Sequence, residues 1–156
     1  MTYASYPYGA VPFGGLTDAQ PLTIEERIEK TLFAYADVIA TEADPPKVFP
    51  NDNFTPTALY LRIEQAPNHN ERLFMRGIDP HFRQGILLIA VVSPLNVSSS
   101  PATKIAGQVA ENFPADLALY NYGIKLRIQE APYVGRAFPD VAAWIVPVSI
   151  RYQVFA

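Results

Sequence analysis

The chain has 156 residues, no cysteine and a formal net charge of −3 at pH 7. The length suits one domain with a tail and is cramped for two. The missing cysteines exclude disulfides, zinc–thiolate sites and thiol nucleophiles, and the acidic balance argues against a general nucleic-acid or anionic-membrane binder.

Charged residues make up 17% of the chain and apolar residues 49%, lean on charge against a typical ~25%. Such a chain is expected to bury part of itself against a partner. The longest apolar run, Ile86 to Val92, is far below the ~20 residues of a membrane span. No basic region followed by an apolar stretch opens the chain, so no signal peptide is expected. The fifteen prolines are about twice the usual ~5%. They sit in turns and at element boundaries, except Pro101, which starts a helix, and Pro147, which interrupts a strand.

Residues 1–21 read as an extended aromatic arm ahead of a domain covering 22–156. The arm holds Tyr3, Tyr6, Tyr8 and Phe13 among glycines and prolines, with a period of neither 2 nor 3.6. It either folds back on its own domain or orders against a neighbouring subunit, with these four aromatics as anchors. A helix follows. Thr23 and Glu26 have capping-box spacing, and Ile24, Ile28, Leu32, Tyr35 and Ile39 form one apolar stripe. Pro45-Pro46 bars its continuation. Asp18 to Asp52 holds eight carboxylates against three basic side chains, while the remainder is slightly basic. That asymmetry suits a solvated acidic helix face, and is compatible with head-to-tail subunit contacts.

From Thr57 to Gln65, Leu59, Leu61 and Ile63 alternate with Tyr60, Arg62 and Glu64, a half-buried strand. Turn residues at 66–70 end it, Arg72 to Arg76 alternates briefly, and Gly77 to Pro80 turns again. Gly85 to Ser93 is continuously apolar, which predicts an inner strand with a layer on each side. Ser99 or Ser100 then caps a second helix with Pro101 in its first turn. Its apolar face is Ala102, Ile105, Ala106, Val109 and Phe113. Turns and a short strand occupy 115–123, and Ile124, Leu126 and Ile128 alternate with polar residues. The last strand, Ala143 to Phe155, puts Trp144, Val146, Val148, Ile150, Tyr152 and Val154 on one face. Pro147 within it is expected at an edge or a bulge. The pattern is α+β: an antiparallel or mixed sheet packed with two main helices.

Catalytic signatures are absent. No serine lies in G-x-S-x-G, and Ser98-Ser99-Ser100 reads as loop and cap. No phosphate-binding glycine motif occurs. His69 and His81, with Glu71 and Asp79 nearby, could be imagined as a metal site, but their spacing fits no zinc pattern and surface turns explain them better. Arg62, Arg72, Arg76 and Arg83 interleave with Glu64, Glu71 and Asp79, a mixture that suits a salt-bridged face or a subunit interface more than a phosphate track.

Several segments occur in a familiar order. Val48-Phe49-Pro50-Asn51 follows the first helix, then Ala58-Leu59-Tyr60-Leu61-Arg62. Arg83-Gln84-Gly85-Ile86-Leu87 runs into Val91-Val92-Ser93-Pro94, and the helix Ala102 to Phe113 follows. Ala131-Pro132, Asp140 and the strand Trp144 to Tyr152 close the series. Over roughly residues 22–154 this order resembles the tail terminator (tail completion) proteins of long-tailed bacteriophages and related prophages.

The resemblance implies a non-enzymatic virion protein without a cofactor, made in the host cytoplasm and working in the tail neck as a homohexameric ring. Its implied partners are the tail tube protein, which the ring caps, and the head–tail connector protein, which it joins. DNA passes through the lumen without sequence readout. On this view Tyr3, Tyr6, Tyr8 and Phe13 anchor an arm on a neighbour, and Arg62, Arg72, Arg76 and Arg83 lie on or near a subunit or tube-facing surface. Two other readings fit the same residues: another neck, connector or tube-like ring protein, or a small metal-dependent enzyme or ligand-binding domain using His69, His81 and Asp79.

Overall fold

The computed structural model describes residues 22–156 apart from 57 and 97. The arm and its four aromatics, Tyr3, Tyr6, Tyr8 and Phe13, lie outside the described residues.

Two helices, α1 (Ile24–Val38) and α2 (Ser100–Glu111), pack on one sheet. Its strands are β1 (Lys47–Val48), β2 (Tyr60–Pro67), β3 (Glu71–Arg72), β4 (His81–Pro94), β5 (Ala118–Asn121), β6 (Ile124–Ile128), β7 (Tyr133–Val134), β8 (Phe138–Asp140) and β9 (Ala143–Phe155). The order is β1-β2-β4-β9-β6-β5. The short β3 adds to β4, and β7 and β8 add to β9. Only β1 and β2 pair in parallel, so the sheet is mixed and the class α+β.

The core occupies the face under the helices. Leu61 and Ile63 of β2, Leu87, Ile89 and Val91 of β4, and Val146, Val148, Ile150, Tyr152 and Val154 of β9 meet Ile28, Leu32 and Ala36 of α1 and the whole expected stripe of α2. α1 touches β2 as well as β5 and β6, although β4 and β9 separate them in the sheet. The sheet therefore curls around this helix.

The two helices are tied to each other by polar contacts. Tyr35 Oη donates to the Asn112 carbonyl at 2.5 Å, and the Tyr35 ring meets Phe113 edge-on with centroids 5.0 Å apart. Asn112 Nδ2 donates to the Ala40 carbonyl, and Glu42 N–H to Gln108 Oε1.

Local sequence accounts for the helix ends. The Glu26 N–H donates to Thr23 Oγ1 at 3.2 Å, one half of the expected capping box. At α2 the expected cap differs. Ser99 occupies the N-cap position without a side-chain bond, and it is the Ser98 hydroxyl that accepts from the Ser100 N–H. Ser99 has already taken helical backbone angles, which turn its side chain away from the usual capping geometry.

Two further expectations need correction. β4 is an inner strand, with β2 on one side and β9 on the other, but both helices cover the same face. On the opposite face Ile86 and Leu88 remain half-exposed, and only Ala90 and Val92 are buried there, with Ile145. The apolar run therefore reflects one helix-covered face and one face with no second layer among the described residues.

Pro147, expected at an edge, sits in an inner strand opposite Ala90. Its carbonyl accepts from the Gly135 N–H at 2.7 Å. In an antiparallel strand a residue's N–H and C=O point to the same side, so the missing N–H of Pro147 faces residues 135–137, the gap between β7 and β8. The ladder loses no partner there, which is why an inner strand tolerates the proline.

Gly85 makes the closest approach in the sheet. It lies opposite Tyr152, whose hydroxyl accepts from Gln65 Nε2 at 2.7 Å. A Cβ on Gly85 would lie 2.5 Å from Tyr152 Oη and 2.9 Å from the Ala66 carbonyl oxygen. Gly85→Ala is therefore expected to cost about 1–3 kcal/mol in urea unfolding, with Tyr152→Phe in the same chain restoring part of the loss. Burial also pushes the Tyr152 phenol above its ordinary value of 10.0. The unfolded chain then releases this proton first, so the phenol's contribution to stability is intact below pH 10 and falls as pH rises beyond it. Tyr152→Phe is expected to make the alkaline loss of stability shallower, as read from unfolding midpoints between pH 8 and 11.

Candidate interaction surfaces

Three surfaces of the fold are candidates for covering by other chains. The first is the open face of the sheet. Ile86, Leu88, Ala90 and Val92 run down its centre on β4. Tyr60, Arg62 and Glu64 of β2 flank them on one side, and Ile145, Pro147, Ser149 and Arg151 of β9 on the other. Charge pairs bound this apolar column: Arg62 Nε lies 3.5 Å from Glu64, and Arg151 Nε 3.3 Å from Glu130. Arg62 Nε makes no hydrogen bond beyond this approach to Glu64. A shallow recess of about 490 Å³ opens beside Ile86, between Pro132-Tyr133 and Arg151.

The second surface is the turn joining β3 to β4. Met75 is 92% and Ile78 86% exposed, with Leu73 and Phe74 about half exposed. Phe155, its ring tilted against Phe82 with centroids 5.1 Å apart, is exposed at the same end of the sheet. Isolated exposed apolar side chains are ordinary, but a contiguous group marks an interaction site.

The third surface lies at the opposite end of the sheet. A recess of about 600 Å³ is lined by Ala43, Pro45, Pro46, Leu59, Pro101 and Ile105, with Glu42, Asp44 and Lys104 around it. The Lys104 ammonium meets Glu42 at 2.7 Å.

The four arginines do not form one cluster. Arg62 pairs in register with Ala90, and Arg72 with His81. Nine residues of β4 separate those positions, about 30 Å at the usual strand rise. Arg72 is exposed and donates Nε to the Phe74 carbonyl. Arg76 is 74% exposed and meets Asp79 at 2.8 Å. Arg83 is turned inward at 15% exposure. It binds Glu25 of α1 at 3.0 Å and donates Nε to the Ala156 carbonyl, joining strand, helix and C-terminus.

His69 and His81 stand on the two sides of the β3–β4 turn. Among the described residues no three His, Asp or Glu side chains converge as metal ligands. The sequence reading missed the apolar turn because it took Arg72 to Arg76 as alternating strand. The available signal was the consecutive Leu73-Phe74-Met75, which has no period of 2 and is bounded by turn residues.

These roles predict different responses to truncation. Arg83→Ala is expected to cost about 1–3 kcal/mol, since it removes a largely buried side chain that links three elements. Arg76→Ala is expected to stay within about 0.5 kcal/mol. Chemical denaturation of the two variants beside the parent chain measures both.

Comparison with known proteins follows the geometry. No curated protein matches the chain. A solved structure whose description carries no functional term is similar to it, with a TM-score of 0.63 and 25% identity, covering 84% of this chain and 92% of that one. The model of the phage tail terminator protein family matches residues 25–152. That span takes in both helices and runs from the first turn of α1 into the last quarter of β9, so the chain belongs to the phage tail terminator protein family, a family of structural phage tail proteins.

Proposed function

We propose that the chain is the subunit of a ring that caps the phage tail tube and joins it to the head–tail connector. The family match over residues 25–152 carries this reading, and the surfaces support it. The fold leaves an apolar sheet face, an apolar turn and an apolar recess for other chains. Among the described residues there is no helix long and apolar enough to cross a membrane.

In the ring, a homohexamer, the partners are identical neighbours, the tail tube protein and the connector protein. The genome passes through the lumen without sequence readout. A chain of net charge −3 suits that passage, because neutralising phosphates is what makes binding to DNA tight. Tyr3, Tyr6, Tyr8 and Phe13 anchor the arm on a neighbour. Arg62, Arg72 and Arg76 lie toward subunit or tube contacts, and Arg83 holds the end of the subunit that carries the apolar turn.

Particles made without this protein test the reading. Electron microscopy is expected to show headless tails, abnormally long or unterminated, beside unattached heads. Tails of normal length joined to heads would contradict it. Deleting Met1 to Leu16 tests the arm separately, with loss of ring assembly or tail attachment as the expected result.

A further inference from the structure

The two apolar features at opposite ends of the sheet are complementary. The turn Leu73-Phe74-Met75 with Ile78 projects beyond the first residues of β4, because β3 pairs with His81 and Phe82. The recess over Leu59 lies beside the other end of the same strand, since Tyr60 pairs with Val92. About ten residues of strand, or ~33 Å, separate Phe82 from Val92. A projection at one end and a recess at the other cannot satisfy each other within one subunit.

Charge follows the same polarity. The charged side chains lining the recess are Glu42 and Asp44 against Lys104. The turn and its flanks, residues 71–83, hold Arg72, Arg76 and Arg83 against Glu71 and Asp79. Among the described residues no carboxylate pairs with Arg72 and no cation with Asp44. Among the described residues, then, the Arg72 guanidinium on the projection, like Glu71 beside it, has no ion-pair partner, and neither does the Asp44 carboxylate at the recess.

We propose that the Leu73–Ile78 turn of each subunit seats in the Ala43–Pro46, Leu59, Pro101 and Ile105 recess of the next, with Arg72 approaching Asp44. The occupant of the recess is a second copy of this chain. The contact is heterologous: each subunit gives its projection to one neighbour and receives that of another, the arrangement that closes into a ring at a fixed rotation. It deepens the ring reading above and rests on it, by naming which surfaces meet. Burying Phe74 and Met75 in an apolar recess concentrates the contact in a few large side chains, while the paired charges set its direction.

The absence of cysteine makes the contact directly testable, because introduced thiols are the only ones present. Met75→Cys and Ala58→Cys chains are purified separately, mixed, and treated with a short bismaleimide. Ala58 lines the recess and is exposed. The expected product is a 75–58 cross-linked dimer in the mixture and a ladder of multiples from the chain carrying both substitutions, with neither single variant linking to itself. Electron microscopy of the same samples separates the two levels of the account. Rings without the 75–58 product overturn this contact and leave the ring reading standing. Monomers without any product, at every concentration tested, overturn both. A product joining Met75→Cys chains to each other signals a like-with-like contact and overturns the proposal, as does protection of the turn only on addition of tail tube. Met75→Asp is an independent check: ring formation is expected to be lost while the unfolding midpoint stays unchanged. Rings formed by Met75→Asp as readily as by the parent chain would also overturn the proposal.

Discussion

The antiparallel ladder between β4 and β9 is the interaction on which the rest of the structure hangs. It runs in unbroken register from Phe82 opposite Phe155 to Pro94 opposite Ala143. Each of these long strands has a second edge, and the remaining strands occupy it in pieces. β2 and β3 share the outer edge of β4, while β6, β7 and β8 divide that of β9. Two- and three-residue strands such as β3, β7 and β8 have no stability of their own. They form because a fixed, unpaired edge lies beside them. The same ladder presents Leu87, Ile89, Val91, Val146, Val148 and Ile150 as one apolar surface, and both helices pack there.

Among the described residues the core lies on one face of the sheet and the other carries no second layer, an asymmetry that suits a fold meant for contact with other chains. The helix-covered face buries Leu87, Ile89 and Val91 of β4 and Val146, Val148, Ile150 and Val154 of β9, at roughly 1.5–3 kcal/mol each. The open face keeps Ile86 and Leu88 half-exposed and ends near an apolar turn whose Met75 is nearly all in solvent. A chain selected to remain alone in water gains nothing from such surfaces. In the proposed ring, association removes them from water without disturbing the core.

Much of the fold was legible in the sequence wherever a period was long enough to exceed local noise. β9 has the expected ends because six apolar positions alternate across it, and α2 has the expected buried face because all five stripe positions keep helical spacing. β4 is longer than its apolar run, since His81 to Gln84 are strand by pairing with β9 and β3, not by pattern. β1, β7 and β8 were invisible for the same reason. Pro147 reads as an edge residue, and only the position of its missing N–H opposite the β7–β8 gap explains its place inside the sheet. A continuous apolar run cannot reveal whether its second face meets its own chain or another, so the open face had no distinguishing signal. The arginines illustrate a further limit: closeness in sequence suggested a cluster, but strand register sets Arg62 far from Arg72, and ion pairing turns Arg83 inward.

Family membership makes the chain a structural phage tail protein, and the surfaces left open among the described residues are the candidates for its contacts with other chains. The most direct measurement of that account is cryo-electron microscopy of the head–tail junction in intact particles, at a resolution that traces strands. The account predicts one ring of this fold, the long β4–β9 ladder recognisable in each subunit, between the last ring of the tail tube and the connector. Finding this fold repeated along the tube, or only at the far tip of the tail, would contradict it.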